Sequence, residues 1–421
     1  MQELKIRGGR LLKGRIHVSG AKNAALPALA ACILVDDITV LHNMPDVRDV
    51  TSMCQLLESL GASVNRYGDA IHVDTRGMTQ WHAPHDLVRK MRASVLVMGP
   101  LIARFGRAEV ALPGGCTIGN RPIDLHINAL RQMGAEPTLI KGEEHIICER
   151  LIGARIHFDR PTVTGTENVL MAATAAEGET VLENAAREPE VADLAHLLVA
   201  MGAQIEGIGT DTIRVSGGRT LHGADHSIIS DRIEAGTYAI AAAMTGGDIV
   251  LESIDSLMLT SLWAKMTHAG VSIREKASGD ICVSGCPPFA PVHITTAEYP
   301  GFPTDLQAQF MAMMCLAKGE SVITENIFED RFKHASELNR MGADIVIRGR
   351  NAFVKGIPYL SGAAVTASDL RASASLVIAG LAARDETRVL RIYHLDRGYE
   401  RIDEKLACLG ADIKRVAGEG P

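Results

Sequence analysis

A short phrase recurs six times along the 421 residues, and it limits the possible folds more tightly than anything else in the chain. Each copy has a Leu or Met, three residues, a Gly and then an extended run; the glycines are Gly61, Gly134, Gly202, Gly270, Gly342 and Gly410. Successive copies lie 73, 68, 68, 72 and 68 residues apart, longer than the common solenoid periods but regular enough to be one unit copied six times. Each Gly reads as a left-handed helix C-terminal cap that leads directly into a strand. Hairpin turns follow at Gly68-Asp69, Gly142-Glu143, Gly209-Thr210-Asp211, Gly279-Asp280 and Gly349-Arg350-Asn351.

Upstream of each Gly lies an Ala-rich apolar segment: 24–34, 93–103, 168–176, 236–245, 307–317 and 372–383. A helix with no polar face has to be surrounded by protein, and small Ala side chains let it pack closely. The unit is therefore expected to run strand, buried helix, strand, amphipathic helix, hairpin. Three such units closing around their buried helices make a domain with sheets outside and helices inside, and six make two. The last copy has only one strand beyond Gly410, so its sheet needs a partner from elsewhere. Two strand-like pieces, Leu4–Arg7 and Arg15–Ser19, precede the first copy and are expected to supply it. This gives a domain I of residues 1–20 plus 230–421, formed from both chain ends, with a domain II of residues 21–229 inserted in it and carrying a loop at 113–122.

Composition narrows the function. A formal charge of -7 argues against a nucleic acid partner, because phosphate-backbone binding needs a broad cationic face. The eight cysteines show no paired spacing, so neither disulfides nor a metal site is expected; Cys32, Cys54, Cys315 and Cys408 are expected in the core, Cys148 and Cys282 in strands. No membrane insertion is expected either, since the apolar runs are short and the first ten residues carry three basic side chains with no apolar core behind them. A cytoplasmic location fits.

The first turns of the apolar helices carry Lys22-Asn23, Arg92, Thr164, Asp231-Arg232, Thr304-Asp305 and Asp369 with Arg371. A cation at a helix N-terminus opposes the macrodipole and calls for an anion, either from the protein itself or from a ligand. Further arginines, Arg121, Arg187, Arg331 and Arg397, sit in strand-to-helix turns. Gathered at a mouth between two domains, they would suit a ligand with several negative groups. In the second copy the turn lengthens to Pro113-Gly114-Gly115-Cys116-Thr117-Ile118-Gly119-Asn120-Arg121-Pro122, a Gly-rich loop with one thiol and one guanidinium that has the makings of a lid.

Six fragments in order, residues 19–27, 112–116, 121–126, 302–305, 369–372 and 396–399, resemble the motifs of the enolpyruvyl transferase family across the whole chain. The resemblance implies an α/β fold, a two-domain inside-out α/β barrel of six βαβαββ-like repeats with buried helices surrounded by sheets. It further implies transfer of the enolpyruvyl group of phosphoenolpyruvate to the 3-hydroxyl of UDP-N-acetylglucosamine, the opening step of peptidoglycan precursor synthesis, with no cofactor and no metal. Lys22, Cys116, Asp305 and Arg397 are the implied catalytic residues: Cys116 as proton donor, Asp305 as general base, and Lys22, Arg121, Arg371 and Arg397 as the clamp on phosphoenolpyruvate. Asn23, Arg92, Arg121, Pro122, Ile123, Asp124, Leu125, Arg160, Pro161, Thr162, Val163, Asp305 and Ile327 are the implied nucleotide-sugar contacts, with Arg331 and Asp369 supporting the charged intermediate. Two alternatives are transfer to shikimate 3-phosphate, whose branch is expected to carry a Lys-Ser pair where this chain has Lys22-Asn23, and a nucleotide-sugar sensor that binds without turnover.

Overall fold

The computed structural model describes residues 2–89, 91–112 and 123–418. The described residues of Met1–Ser19 and Ser230–Pro421 form one compact unit, unit 1, and those of Gly20–Gly115 and Arg121–Ile229 form unit 2.

Three largely buried helices lie in each unit. Unit 2 holds α1 (Lys22–Ala31), α2 (Met98–Phe105, entered through the 3-10 turn Arg92–Val97) and α3 (Val163–Ala173). Unit 1 holds α4 (Arg232–Met244), α5 (Gln307–Met314) and α6 (Leu370–Ala382). Every residue of α4 and of α5 is buried, as expected of helices without a polar face. Close packing depends on small residues at chosen points. A Cβ at Gly236 would come within 2.7 Å of Leu306 and 2.9 Å of Leu262, so the bare backbone of α4 is what lets the turn carrying Leu306 sit down on it.

Several helices begin earlier than their apolar segments suggest, because polar side chains satisfy their first N–H groups. Thr162 Oγ1 accepts from Gly165 N, Asp231 Oδ1 from Ile233 N and Glu234 N, and Asp369 Oδ1 from Arg371 N and Ala372 N.

Four-stranded sheets pack around these helices, and their order repeats. In the sheet of residues 38–74, Ile38–His42 lies between a parallel strand, Asp225–Ser227, and the antiparallel Ala70–Asp74, with Ser63–Tyr67 at the edge. The incomplete sixth sheet is closed by Gln2–Arg7, which pairs antiparallel with both Glu386–Leu390 and Asp412–Ala417 and buries Leu4 and Ile6. The first and fourth copies exchange their entering strands. Lys13–His17 leads into α1 yet pairs with Asp248–Glu252 of unit 1, whereas Asp225–Ser227 leads into α4 yet pairs with Ile38–His42 of unit 2.

All six phrase glycines have φ between 89° and 105°, the left-handed region in which a side chain would be strained, and each is followed by a strand. Cys32, Cys148 and Cys315 are buried and Cys54 half-buried, but Cys408 is exposed, against expectation. Its helix, Ile402–Cys408, buries Ile402 and Leu406, and a residue two positions past Leu406 falls on the opposite face. Among the described residues no helix is long and apolar enough to cross a membrane.

Candidate active site

In unit 1 the chemistry converges on Asp305. It lies in the 3-10 turn Thr304–Leu306 that opens α5, with an adjacent Thr that reads as a capping pair, yet no side chain caps this turn. The carboxylate is gripped from two directions instead. Arg331 Nη2 donates to Oδ1 at 2.8 Å, and Arg371 donates to Oδ2 through Nε at 3.0 Å and Nη2 at 2.7 Å. Both arginine side chains are almost fully buried, at 5% and 4% exposure, while Asp305 keeps 25%. Burial works against the Arg371 charge, but Asp305, joined by Tyr399 and Asp231, outweighs it and raises the guanidinium further above its usual range. Arg371 at the start of α6 thus meets its anion inside the protein, and its third nitrogen, Nη1, is buried with no hydrogen-bond partner.

A buried carboxylate shapes the approach. Glu325 Oε2 accepts from Thr304 Oγ1 at 2.8 Å, and its Oε1 accepts from the backbone of Ile327 and Phe328 and from Thr296 Oγ1. Glu325 therefore links the Asp305 turn to the Ile327 loop. Asp369 caps α6 and also faces two histidines. Burial pushes His334 down to about 4, with Asp369 opposing the shift and Arg331 adding to it. His394 is lowered by burial and by Arg397, again against Asp369. Arg397 ends the turn Ile392–Arg397, which Arg415 fastens by donating to Asp396 at 2.8 and 3.1 Å and to Asp403 at 3.0 Å.

In unit 2, Lys22 opens α1 with its Nζ 3.5 Å from Asp49 Oδ2. Asn23 beside it is half-buried, as is Arg92 at the entry to α2. Between α2 and α3 runs a polar chain whose protons can be placed. Asn168 Oδ1 accepts from Gly99 N at 2.5 Å, so Nδ2 is the face turned to Val95 O and to His126 Nδ1 at 3.0 Å. Nδ1 of His126 is then the acceptor, and its Nε2 donates to Thr164 Oγ1 at 3.2 Å. Burial, helped by the Arg92 charge, pushes His126 down to about 4, so the ring is neutral. Ile123 is buried, Leu125 half-buried and Asp124 exposed in the first turn of Asp124–Gln132. Arg160 is exposed, Pro161 and Val163 are half-buried, and Thr162 caps α3.

The structure thus joins Asp305, Arg331 and Arg371 directly, and links Asp369 and Arg397 electrostatically through His394. Lys22, Asn23, Arg92, Ile123, Asp124, Leu125 and residues 160–163 belong to unit 2. Cys116, Arg121 and Pro122 lie outside the described residues. Sequence reasoning missed Glu325, His126, Asn168 and Arg415, whose partners are remote in the chain; only His126 stood in a recognised fragment. Among the described residues no group of three or more His, Cys, Asp or Glu side chains is arranged to hold a metal ion.

Comparison with known proteins follows the same lines. The family model described as EPSP synthase (3-phosphoshikimate 1-carboxyvinyltransferase) matches residues 6–406. A UDP-N-acetylglucosamine 1-carboxyvinyltransferase of Magnetococcus marinus is 55% identical over 419 residues, covering 99% of this chain and 100% of the relative. One of Koribacter versatilis is 56% identical, covering 99% and 97%. Among solved structures, the enolpyruvyl transferase NikO from Streptomyces tendae superposes with a TM-score of 0.88 at 25% identity, over 99% of both chains. EPSP synthase from Acinetobacter baumannii gives 0.76 at 20% identity, over 99% of this chain and all of that one, a likeness of fold alone.

Proposed function

The chain belongs to the enolpyruvyl transferase family, and from that premise we propose that it transfers the enolpyruvyl group of phosphoenolpyruvate to the 3-hydroxyl of UDP-N-acetylglucosamine, releasing phosphate. The observation that carries this reading is full-length identity of 54–56% to relatives named for that reaction, against 20% to EPSP synthase. Shikimate 3-phosphate is disfavoured as acceptor by the same contrast.

The residues divide the work as the chemistry requires. Phosphoenolpyruvate is protonated at its methylene carbon, with the Cys116 thiol as donor, and C2 becomes electrophilic. The sugar hydroxyl oxygen bonds to C2 while its proton passes to Asp305, giving a tetrahedral adduct that still carries phosphate. Return of a methyl proton to the Cys116 thiolate, with cleavage of the bond between C2 and the phosphate oxygen, then expels phosphate and leaves the enol ether. Lys22, Arg121, Arg371 and Arg397 hold the phosphate and carboxylate of the donor. Arg371 has two of its nitrogens committed to Asp305, which leaves Nη1 as the one it can offer the donor. Asn23, Arg92, residues 121–125 and 160–163, and Ile327 receive the nucleotide sugar. A cytoplasmic setting suits an enzyme whose described cysteines are all free thiols.

A phosphate-release assay with phosphoenolpyruvate and each candidate acceptor tests the reading. Release dependent on UDP-N-acetylglucosamine is expected; release with shikimate 3-phosphate in its place, or binding of the nucleotide sugar without release, contradicts it.

A further inference from the structure

Behind the Asp305–Arg371 pair lies a buried polar network that the proposed mechanism does not use. It consists of Thr237 on α4, Gln309 on α5 and Tyr399, all buried. Thr237 Oγ1 has a single proton, and it goes to the carbonyl of Ile233 at 2.7 Å. The contact of 2.8 Å between Thr237 Oγ1 and the Tyr399 hydroxyl must therefore have Tyr399 as donor. Gln309 Nε2 lies 3.0 Å from the backbone carbonyl of Asp305, 3.1 Å from Thr237 Oγ1 and 3.2 Å from the Tyr399 hydroxyl, so one of its two protons goes to the carbonyl and the other is shared between the two hydroxyl oxygens. Turning the amide over would set its oxygen against that carbonyl, so its orientation is fixed as well.

The same tyrosine reaches Asp305 from the other side. The Arg371 guanidinium carbon lies 5.4 Å from the centre of the Tyr399 ring, and Arg371 holds the Asp305 carboxylate. Burial pushes the Tyr399 hydroxyl above its usual range despite the nearby Arg371, so it keeps the proton it donates. Backbone and side chain of Asp305 are thus each tied, through one intermediary, to a single residue.

We propose that Tyr399 is a positioning residue for the transfer, with its hydroxyl locking the ring that backs Arg371 and Gln309 extending the lock to the Asp305 backbone. The claim rests on the enolpyruvyl transfer reading. A base held from both ends is already aimed when the reacting hydroxyl arrives, and it takes the proton only in the chemical step, so loosening it acts on that step more than on substrate binding.

The test is steady-state kinetics on Tyr399→Phe, which deletes the hydroxyl and keeps the ring, together with Thr237→Val, which removes the acceptor at the other end of the same bond, and the double variant. In each single variant kcat is expected to fall about tenfold, with KM for both substrates within about twofold. The double variant is expected to lose about as much as either single one, because the Thr237–Tyr399 bond is already broken in each. A packing role would lower the melting temperature and leave kcat untouched below it. Unchanged kcat in a folded Tyr399→Phe, a loss confined to KM, or additive losses in the double variant overturns the proposal. Should Tyr399→Phe fail to fold, Thr237→Val alone decides by the same kcat criterion. If the unaltered enzyme releases no phosphate from the two substrates, the functional reading falls, and this proposal with it.

Discussion

Arg371 donates through both Nε and Nη2 to one atom of Asp305, Oδ2, while Arg331 holds the other oxygen. Two buried cations around a single carboxylate leave an excess of positive charge in this trio, and a phosphate or carboxylate of a substrate is the natural complement. The arrangement fixes the acceptor oxygens in space before any substrate arrives, so little reorganisation is left for the reaction itself.

Asp305→Asn keeps the shape and removes the charge and the proton acceptor. Turnover is expected to fall roughly 10²–10⁴-fold. Asp305→Ala, which strands both guanidinium groups, should cost about 3–5 kcal/mol of stability as well. Denaturant midpoints and kcat measured on the two variants check this, and an Asn variant with full turnover would remove Asp305 from the chemistry.

Asp369 combines a cap with a charge, and two substitutions separate them. Asn caps about as well as Asp, whereas Ala loses about 1 kcal/mol. Asp369→Asn is expected to melt with the unaltered protein yet turn over more slowly, because the charge facing His334 and His394 has gone. Equal turnover in the Asn variant would confine Asp369 to capping.

What could be read in the sequence is what is locally encoded. Gly61 and its five counterparts mark helix ends because a positive φ is a property of one residue, and the turns at Gly68 and Gly142 follow for the same reason. The pairing of Gln2–Arg7 with the chain's last strand was inferable because an incomplete sheet demands a partner. The exchange of Lys13–His17 with Asp225–Ser227 was not, since parallel pairing leaves no mark in either strand. Asp305 beside Thr304 looks like a helix cap in one dimension. Its true partners, Arg331 and Arg371, are 26 and 66 residues away. Tyr399 stands in the fragment 396–399 and Gln309 in the apolar segment 307–317, yet neither, nor Glu325, acquires a role in one dimension, because their meaning lies in contacts with residues remote in the chain.

His126 should leave a signature in the pH dependence of stability. Its folded value of about 4 lies below the ordinary 6.5, so between those limits the unfolded chain binds more protons and stability falls as pH drops; above 6.5 the contribution is constant. The full effect is about 3 kcal/mol. Thermal midpoints measured from pH 7 to pH 4 should fall less steeply in His126→Gln than in the unaltered protein. Identical slopes would mean that the ring is not held neutral.

Burial raises the thiols of Cys32 and Cys315 to about 12 and that of Cys54 to about 11, which leaves them inert at neutral pH. On the proposed role of Cys116 as proton donor, a small phosphonate epoxide is expected to alkylate it, and Cys116→Ser to abolish labelling and depress turnover sharply. Peptide mapping by mass spectrometry reads the site, and undiminished labelling at Cys286 or Cys408 in the Ser variant would overturn the thiol assignment.

The most direct test of the account follows the bond that breaks. Phosphoenolpyruvate labelled with oxygen-18 in the bridge between carbon and phosphorus is incubated with UDP-N-acetylglucosamine and the enzyme, and the products are weighed by mass spectrometry. Addition and elimination at C2 cleave the carbon–oxygen bond, so the heavy oxygen is predicted to leave entirely in inorganic phosphate while the new ether keeps the sugar's own oxygen. Heavy oxygen recovered in pyruvate, with none in the phosphate, would mean hydrolysis at phosphorus and contradict enolpyruvyl transfer.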